Sequence, residues 1–265
     1  MIDIEKAKLE FMNYVKNYDQ ENKMIVLKIS HAFRVMEQSK NIAESLKLEK
    51  EQVDLATLIG LLHDIARFEQ MKRYGTYEDK KSIDHGDLGA EMLSNVSFIR
   101  RFVSDDKYDN IIVVSVKNHN KYKIQDGLTD LELLHSKIIR DADKLDILYE
   151  ATESFWYKES EKEFVDNAEF VSDEYFTQIK NHKQIVRKER NVSRIDKIAS
   201  YMGFIFDFNF EYTFKRTKKE RYIDKIIDRF EFKNSESKKQ IEEIKDIVNN
   251  FILDNISQNQ LKSSI

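Results

Sequence analysis

The scarcity of turn-forming residues constrains the fold of this chain more than any other feature. Its 265 residues include no proline and only 6 glycines. A fold with many β-strands needs such residues at its tight turns, so the composition disfavours that class. Long stretches instead repeat apolar residues with the 3.6-residue period of an amphipathic helix. We therefore predict an all-α protein.

Helical periodicity predicts a series of helices along the chain. A Thr-x-x-Glu capping box at Thr129 and Glu132 marks the predicted start of one helix, and Ser104 is the predicted N-cap of another. The segment between Phe68 and Asp84, which contains Gly75, is predicted to be an ordered loop. The predicted helices cover residues 22–46, 51–71, 86–93, 105–119, 129–155, 170–190, 192–209, 216–231 and 235–256.

Composition and charge exclude several functions. The formal net charge of −4 gives no general attraction to nucleic acid or to a membrane. The chain has no cysteine, which excludes disulfides, thiolate metal sites and a cysteine nucleophile. Its apolar runs are too short to span a membrane, and its N-terminal sequence lacks the pattern of a signal peptide. We therefore expect a cytoplasmic protein without a membrane partner.

Histidines and aspartates are concentrated in the first half of the sequence. Five of the 6 histidines lie between residues 31 and 135. His63 and Asp64 are neighbours in an otherwise apolar segment, where a buried carboxylate needs a metal ion or a cation as its partner. Arg67 follows at helical spacing and is predicted to bind an anion beside them. Asp143 lies at the edge of another apolar stripe and needs a partner for the same reason.

The order His31, His63-Asp64 and Asp143 resembles the H…HD…D signature of the HD superfamily of metal-dependent phosphohydrolases. The resemblance covers about residues 31–148 and is carried by the sequences LLHDIARFE and RDADKLD; it is especially similar to uncharacterised bacterial HD-domain hydrolases. The context Ala-Asp-Lys-Leu matches the family pattern A-D-[RK]-L, which favours Asp143 over Asp141. The resemblance implies an all-helical HD bundle in which His31, His63, Asp64 and Asp143 bind a divalent metal ion.

Two further histidines extend this pattern. His85, in DHGDLGAEML, resembles the H-x-x-x-G element of HD proteins that hold a second metal ion, and His119 supplies the next ligand. The resemblance then implies a binuclear site bridged by Asp64, similar to HD-GYP phosphodiesterases and to diiron HD oxygenases. Asn118-His119-Asn120 replaces the paired histidines of the HD-GYP pattern and no Gly-Tyr-Pro follows, which argues against cyclic di-GMP as the substrate.

The resemblance implies hydrolysis of a phosphate mono- or diester, with a nucleotide favoured, by a metal-activated water. Asp64 and Arg67 would be the catalytic residues, and the substrate would be a small phosphorylated molecule. One or two divalent ions from Mn, Fe, Co, Ni, Mg and Zn suit nitrogen and oxygen donors without thiolates. The alternatives are a diiron HD-type oxygenase and a non-catalytic nucleotide-binding or sensory module.

Other polar residues near these motifs have lesser predicted roles. Lys117, Arg140 and Lys144 are further candidates for binding phosphate. Asp141 is either a hydrogen-bond acceptor for a ligand imidazole or a solvent-facing residue. His135 and His182 are predicted to lie on the surface.

The second half of the chain is predicted to be a helical extension. A polar stretch at residues 158–170 divides residues 1–155, with the metal site, from residues 156–265, which pack on the first part or continue it as one domain. Six basic residues recur three or four positions apart and would form one stripe on a continuous helix. Nucleotide or oligonucleotide phosphates could bind such a stripe, but we favour a solvated charged face. The stripe comprises Lys180, Lys183, Arg187, Arg190, Arg194 and Lys197.

Overall fold

The computed structural model describes residues 2–153, 163–165, 169–185 and 193–262. It divides into two compact units, residues 1–146 and residues 147–265. The predicted boundary between residues 155 and 156 lies outside the described residues. None of the described helices is long and apolar enough to cross a membrane.

The regular elements described in the first unit are all helices. Its helices are α1 (Ile4–Val15), α2 (Lys23–Ser45), α3 (Lys50–Leu62), α4 (Ile65–Tyr74), α5 (His85–Ser94), α6 (Val96–Ile99), α7 (Asp109–Asn118) and the start of α8 (Asp130–Thr152). A short 3₁₀ helix, Asp79–Lys81, lies between α4 and α5. The predicted loop between Phe68 and Asp84 therefore begins only after Tyr74.

The second unit contains the end of α8 and further helices. These are α9 (Asp173–Lys180), α10 (Arg194–Gly203), α11 (Glu211–Glu220), α12 (Tyr222–Asp228) and α13 (Ser235–Lys262), with a 3₁₀ helix at Phe204–Asp207. Strands β1 (Glu163–Val165) and β2 (Phe230–Phe232) form a parallel pair, with Glu163 opposite Phe230. This short pair is the exception, among the described residues, to an all-α fold that is otherwise confirmed.

Close packing of α2 on α3 forms the centre of the first unit. The two helices meet at Gly60, where an added Cβ would lie 2.8 Å from Met36 Cα and 2.9 Å from Val35 O. Such distances are too short for carbon contacts, so only glycine allows the backbones to approach this closely. Leu55, Leu58 and Leu62 of α3 are fully buried beside this contact.

The capping box at Thr129 is present, but Ser104 does not cap a helix. Glu132 Oε2 accepts the Thr129 N–H at 2.7 Å, and Thr129 Oγ1 accepts the Glu132 N–H at 3.4 Å. In the other segment, Asp105 Oδ1 accepts the Lys107 N–H at 3.3 Å. This local bond holds a turn before the helix, so α7 begins four residues later than predicted, at Asp109.

Helices in the second unit end earlier than predicted because residues in the left-handed region interrupt them. His182 has φ 51°, and the N–H groups of His182 and Lys183 donate to the carbonyls of Ile179 and Gln178 in a Schellman motif. The predicted helix 170–190 therefore stops at Lys180. Similarly, Arg221, with φ 56°, divides the predicted helix 216–231, whose last residues form β2.

These endings also disrupt the predicted basic stripe. Lys183 lies beyond the end of α9, and Arg194 begins a separate helix. Arg187 and Arg190 lie outside the described residues. A continuous helix from Lys180 to Lys197 is therefore wrong. The predicted helix 192–209 likewise changes to 3₁₀ geometry after Gly203.

His135 is buried, contrary to the prediction that it lies on the surface. It shares the inner face of α8 with Ile138, Ile139 and Ala142, at the i+3, i+4 and i+7 positions, and all four are at most 1% exposed. Its Nε2 atom lies 2.7 Å from Gln52 Oε1. The capping box indicated where the helix begins but not which face it buries. His182 is exposed as predicted, with its ring stacked on Phe206.

Burial of His135 should make stability depend on pH. Burial lowers the pKa of His135 to about 4, whereas an unfolded histidine has a pKa of about 6.5. The neutral side chain therefore contributes stability that is present above about pH 6.5 and is lost as the pH falls toward 4, on the order of 3 kcal/mol in total.

We expect His135→Gln to remove this component from the pH dependence of the free energy of unfolding. Urea unfolding in EDTA, followed by circular dichroism across this pH range, would measure it. His182→Gln is the control for replacing an exposed histidine. An unchanged pH slope in His135→Gln would contradict the prediction.

Candidate metal centre

The six residues predicted as metal ligands lie together in the first unit. His31 is in the middle of α2, and Asp143 is in α8. His63 and Asp64 occupy the break between α3 and α4. His85 is the first residue of α5, and His119 directly follows α7. Five elements far apart in sequence therefore converge on one buried cluster.

The break at Asp64 corrects the prediction of one helix over residues 51–71. Asp64 has φ −103° and ψ 19°, and it makes no side-chain capping bond to α4. Its carboxylate instead faces the imidazoles and cations of the cluster. No glycine or proline occurs at this break, and the apolar periodicity continues through it. The sequence alone therefore predicts one continuous helix.

Each oxygen of Asp64 faces a different set of imidazoles. Oδ2 lies 3.5 Å from His31 Nε2 and 3.6 Å from His63 Nε2. Oδ1 lies 3.4 Å from His85 Nε2 and 3.5 Å from His119 Nε2. The carboxylate thus separates two donor sets, which we name the His31 group (His31, His63 and Asp143) and the His85 group (His85 and His119).

Donor atoms within each group are also close to one another. In the His31 group, the two Nε2 atoms are 3.2 Å apart, and Asp143 Oδ1 lies 3.2 Å from His31 Nε2 and 3.7 Å from His63 Nε2. In the His85 group, the two Nε2 atoms are 3.0 Å apart. Ligands about 2.1 Å from one ion are spaced about 3.0 Å apart in octahedral geometry and about 3.4 Å apart in tetrahedral geometry. The donors therefore fit a divalent metal ion in either group.

Hydrogen bonds on the outer side of each imidazole fix its orientation. Nδ1 of His31 lies 2.6 Å from Asp146 Oδ2, and Nδ1 of His85 lies 2.6 Å from Asp79 Oδ2. Nδ1 of His63 lies 2.8 Å from the Gly60 carbonyl, and Nδ1 of His119 lies 2.6 Å from the Val116 carbonyl. Since these oxygens accept hydrogen bonds, each Nδ1 carries the proton and each Nε2 faces the site.

The protonation states follow from burial and from these partners. Burial lowers the pKa of His63 to about 3 and that of His85 to about 4, so both imidazoles are neutral donors at neutral pH. Burial also opposes a charge on His31, but Asp143 and Asp146 outweigh it and raise the pKa of His31 to about 9. Burial alone would raise the pKa of Asp64, yet Lys28 and the surrounding groups hold it well below its usual value.

The loop after α4 is fixed against the site by Arg67 and Gln70. Arg67 Nη1 donates to Gln70 Oε1, the Tyr77 carbonyl and Asp79 Oδ1 at 2.7–3.0 Å. Gln70 is fully buried and donates to Asp79, Ser82 and the Ile83 carbonyl. Arg67 therefore positions the loop that carries the partner of His85.

Arg67 also retains one donor directed at the site. Its Nε atom is buried without a hydrogen-bond partner and lies 3.5 Å from Asp64 Oδ1. That N–H is available to an anion on the His85 side of the carboxylate, as the predicted role of Arg67 requires.

The sequence interpretation did not identify several residues that support the site. Asp146 binds both His31 and Arg34, whose Nε atom lies 2.7 Å from Asp146 Oδ1. Asp79 holds His85, and Lys28 donates to Asp64 at 2.8 Å. Helical spacing offered a signal for three of them, since Lys28 and Arg34 are three residues from His31, and Asp146 is three residues from Asp143.

Arg140, which the sequence offered as a candidate for binding phosphate, is not placed to do so. It is 1% exposed, and its guanidinium donates to the carbonyls of Asn118, Lys121 and Tyr122. These carbonyls belong to the last residue of α7 and to the segment after it, so Arg140 stabilises the segment that carries His119. Lys117 is exposed, whereas Lys144 and Asp141 are buried; solvent exposure is therefore wrong for Asp141.

Comparison with known proteins gives a family match over this part of the chain. Residues 29–148 match the family model of the HD domain. Among solved structures, the chain is similar to a predicted HD superfamily hydrolase from an uncultured Thermotogales bacterium. The identity is 26%, over 56% of this chain and 78% of that chain, with a TM-score of 0.38. No curated protein matches the chain.

The separation of the donors into two groups predicts separable metal sites. His85→Ala removes one of the two imidazoles of the His85 group but leaves the His31 group intact. We expect the unaltered chain to bind two Mn²⁺ ions and His85→Ala to bind one, measured as metal per chain after equilibrium dialysis. His182→Gln is the matched control and should bind as the unaltered chain does. Loss of both ions in His85→Ala would show that the groups do not bind independently.

The contact between Asp146 and His31 predicts a role for Asp146 in metal affinity. Asp146→Ala removes the acceptor of the His31 Nδ1–H, so the imidazole is no longer held toward the site. We expect Mn²⁺ to bind about 10–100-fold more weakly, as measured by calorimetry. Asp146→Asn keeps an acceptor oxygen and should recover part of the loss. Equal affinity of Asp146→Ala and the unaltered chain would contradict this role.

Proposed function

We propose, from the premise that residues 29–148 of this chain are an HD domain, that the protein is a metal-dependent phosphohydrolase. Its substrate would be a phosphate mono- or diester, with a nucleotide favoured. The observation that carries the proposal is the arrangement of Asp64, whose two oxygens face the His31 group and the His85 group within 3.6 Å.

The donor set supports one or two divalent ions rather than a purely structural cluster. Four imidazoles present Nε2 toward one carboxylate, and each is held by an acceptor at its Nδ1 atom. The ions would be held by His31, His63, Asp64 and Asp143, and by Asp64, His85 and His119. When bound, such ions lower the pKa of a water molecule and polarise a phosphoryl oxygen.

The side chains at the edge of the cluster support an anionic substrate. Lys28, Arg67 and Asp143 have side chains 14–16% exposed, whereas the four imidazoles are at most 6% exposed. A substrate would therefore approach past two cations. Arg67 would direct its free Nε–H at a phosphoryl oxygen and stabilise the charge that develops there.

The preference for a nucleotide substrate has a separate basis. It follows from the resemblance of His31, His63-Asp64 and Asp143 to the HD phosphohydrolases, not from a pocket for a base. The substrate panel that tests it should therefore include nucleoside mono-, di- and triphosphates beside simple phosphate esters.

A phosphate-release assay with Asp64→Asn tests the proposed function. The unaltered chain, purified without oxygen and supplied in turn with Mn, Fe, Co, Ni, Mg or Zn, should release phosphate or a phosphomonoester from members of the panel. Asp64→Asn keeps the size of the side chain but removes its charge, and we expect at least a 10²-fold loss of kcat. Asp106→Asn, at an exposed position, is the matched control and should keep full activity.

Oxygen-consumption and nucleotide-binding measurements on the same preparations distinguish the alternative functions. Oxygen consumption that requires iron, without phosphate release, would support a diiron oxygenase instead. Nucleotide binding without turnover by any of the six metals would support a sensory module. Full hydrolysis by Asp64→Asn would contradict the mechanism.

A further inference from the structure

Lys28 is a charged side chain that contacts the cluster but is not one of the proposed metal ligands. It lies on α2, one turn before His31 and one residue before the segment that matches the HD domain. Its Nζ atom lies 2.8 Å from Asp64 Oδ2. This carboxylate accepts its hydrogen bond, and the same Nζ atom lies 6.0 Å from the centre of the Tyr77 ring.

The position of Lys28 puts it in competition with a metal ion. Asp64 Oδ2 is the oxygen that faces His31 and His63, so an ion in the His31 group would share it with the ammonium group. An ammonium and a divalent ion on one oxygen repel each other strongly in a site of low dielectric.

An anion in front of the cluster would remove this repulsion. The Lys28 side chain is 16% exposed and the Arg67 side chain is 14% exposed, and each contacts a different oxygen of Asp64. The two cations also lie on the ring of Tyr77, with Arg67 Cζ 5.5 Å from its centre. Tyr77 Oη donates to the Met24 carbonyl on α2, so the ring fixes both cations at one edge of the site.

We propose that Lys28 is a substrate-binding residue that contacts the phosphoryl group from the His31 side, opposite Arg67. This inference rests on the proposed phosphohydrolase function and adds to it a residue and a coupling. An ion held by the His31 group would compete with the ammonium group for Asp64 Oδ2, and Lys28 would then be free to pair with the phosphoryl oxygens. Ion and phosphate would therefore bind cooperatively, and part of the cooperativity would depend on the charge of Lys28.

The test measures Mn²⁺ affinity by calorimetry with and without inorganic phosphate, in the absence of turnover. Lys28→Met removes the charge but keeps the length of the side chain. We expect it to bind Mn²⁺ about tenfold more tightly than the unaltered chain without phosphate, because the competing cation is gone. Inorganic phosphate should tighten Mn²⁺ binding to the unaltered chain more than to Lys28→Met, in which Arg67 and the ion are the remaining positive charges.

Two control variants make the result specific. Lys28→Arg keeps the charge and should keep the effect of phosphate. Lys40→Met removes a lysine of the same helix whose side chain is 43% exposed and should behave as the unaltered chain. Circular dichroism on all variants would establish that each is folded.

The effect of phosphate separates the proposal from a structural role. If Lys28 only compensates the charge of Asp64, phosphate will tighten Mn²⁺ binding equally in Lys28→Met and the unaltered chain, and the proposal is overturned. It is also overturned if Lys28→Met binds Mn²⁺ more weakly than the unaltered chain without phosphate, because the ammonium group then does not compete with the ion.

The hydrolysis assay distinguishes failure of this inference from failure of the proposed function. Phosphate release by the unaltered chain, together with an unchanged kcat/KM in Lys28→Met, would overturn the role of Lys28 alone. If the proposal holds, kcat/KM in Lys28→Met falls about 10²-fold. Absence of hydrolysis by the unaltered chain with every metal would overturn the proposed function itself.

Discussion

The buried carboxylate of Asp64 is the group on which the site depends. Its side chain is 4% exposed, and an ionised carboxylate at that depth is costly unless charged or polar groups compensate it. Lys28 at 2.8 Å and Arg67 at 3.5 Å supply this compensation, one at each oxygen. The carboxylate is therefore ionised before any ion binds and presents two separate oxygen donors.

The packing of α2 on α3 determines the geometry around that carboxylate. Gly60 lacks a side chain, which lets α2 approach, and its carbonyl accepts the His63 Nδ1–H at 2.8 Å. One residue therefore sets both the distance between the helices that carry His31 and His63 and the orientation of His63. Together with the Asp146 contact that orients His31, these two constraints place the two Nε2 atoms 3.2 Å apart.

The sequence alone was sufficient to predict which residues form the cluster, but not which residues support them. The fold class followed from the absence of proline, and the match of residues 29–148 to the HD domain model followed from the order of His31, His63-Asp64 and Asp143. Asp79 and Asp146 hold imidazoles through contacts that depend on where a loop and a helix lie in space. The helix break at Asp64 left no mark in the apolar period, because its cause is the long-range pairing of a side chain.

The balance of charge around the imidazoles explains why this site suits an anion once ions are bound. Four ion pairs at the cluster balance one another: Lys28 with Asp64, Arg67 with Asp79, Arg34 with Asp146 and, without an ion, the protonated His31 with Asp143. An ion bound through His31 Nε2 must displace its proton, since that nitrogen has only one lone pair. One divalent ion therefore adds net positive charge to the cluster, and a second ion adds more. A phosphoryl group that enters between Lys28 and Arg67 offsets this charge, which is the physical reason to expect metal and phosphate to bind this site together.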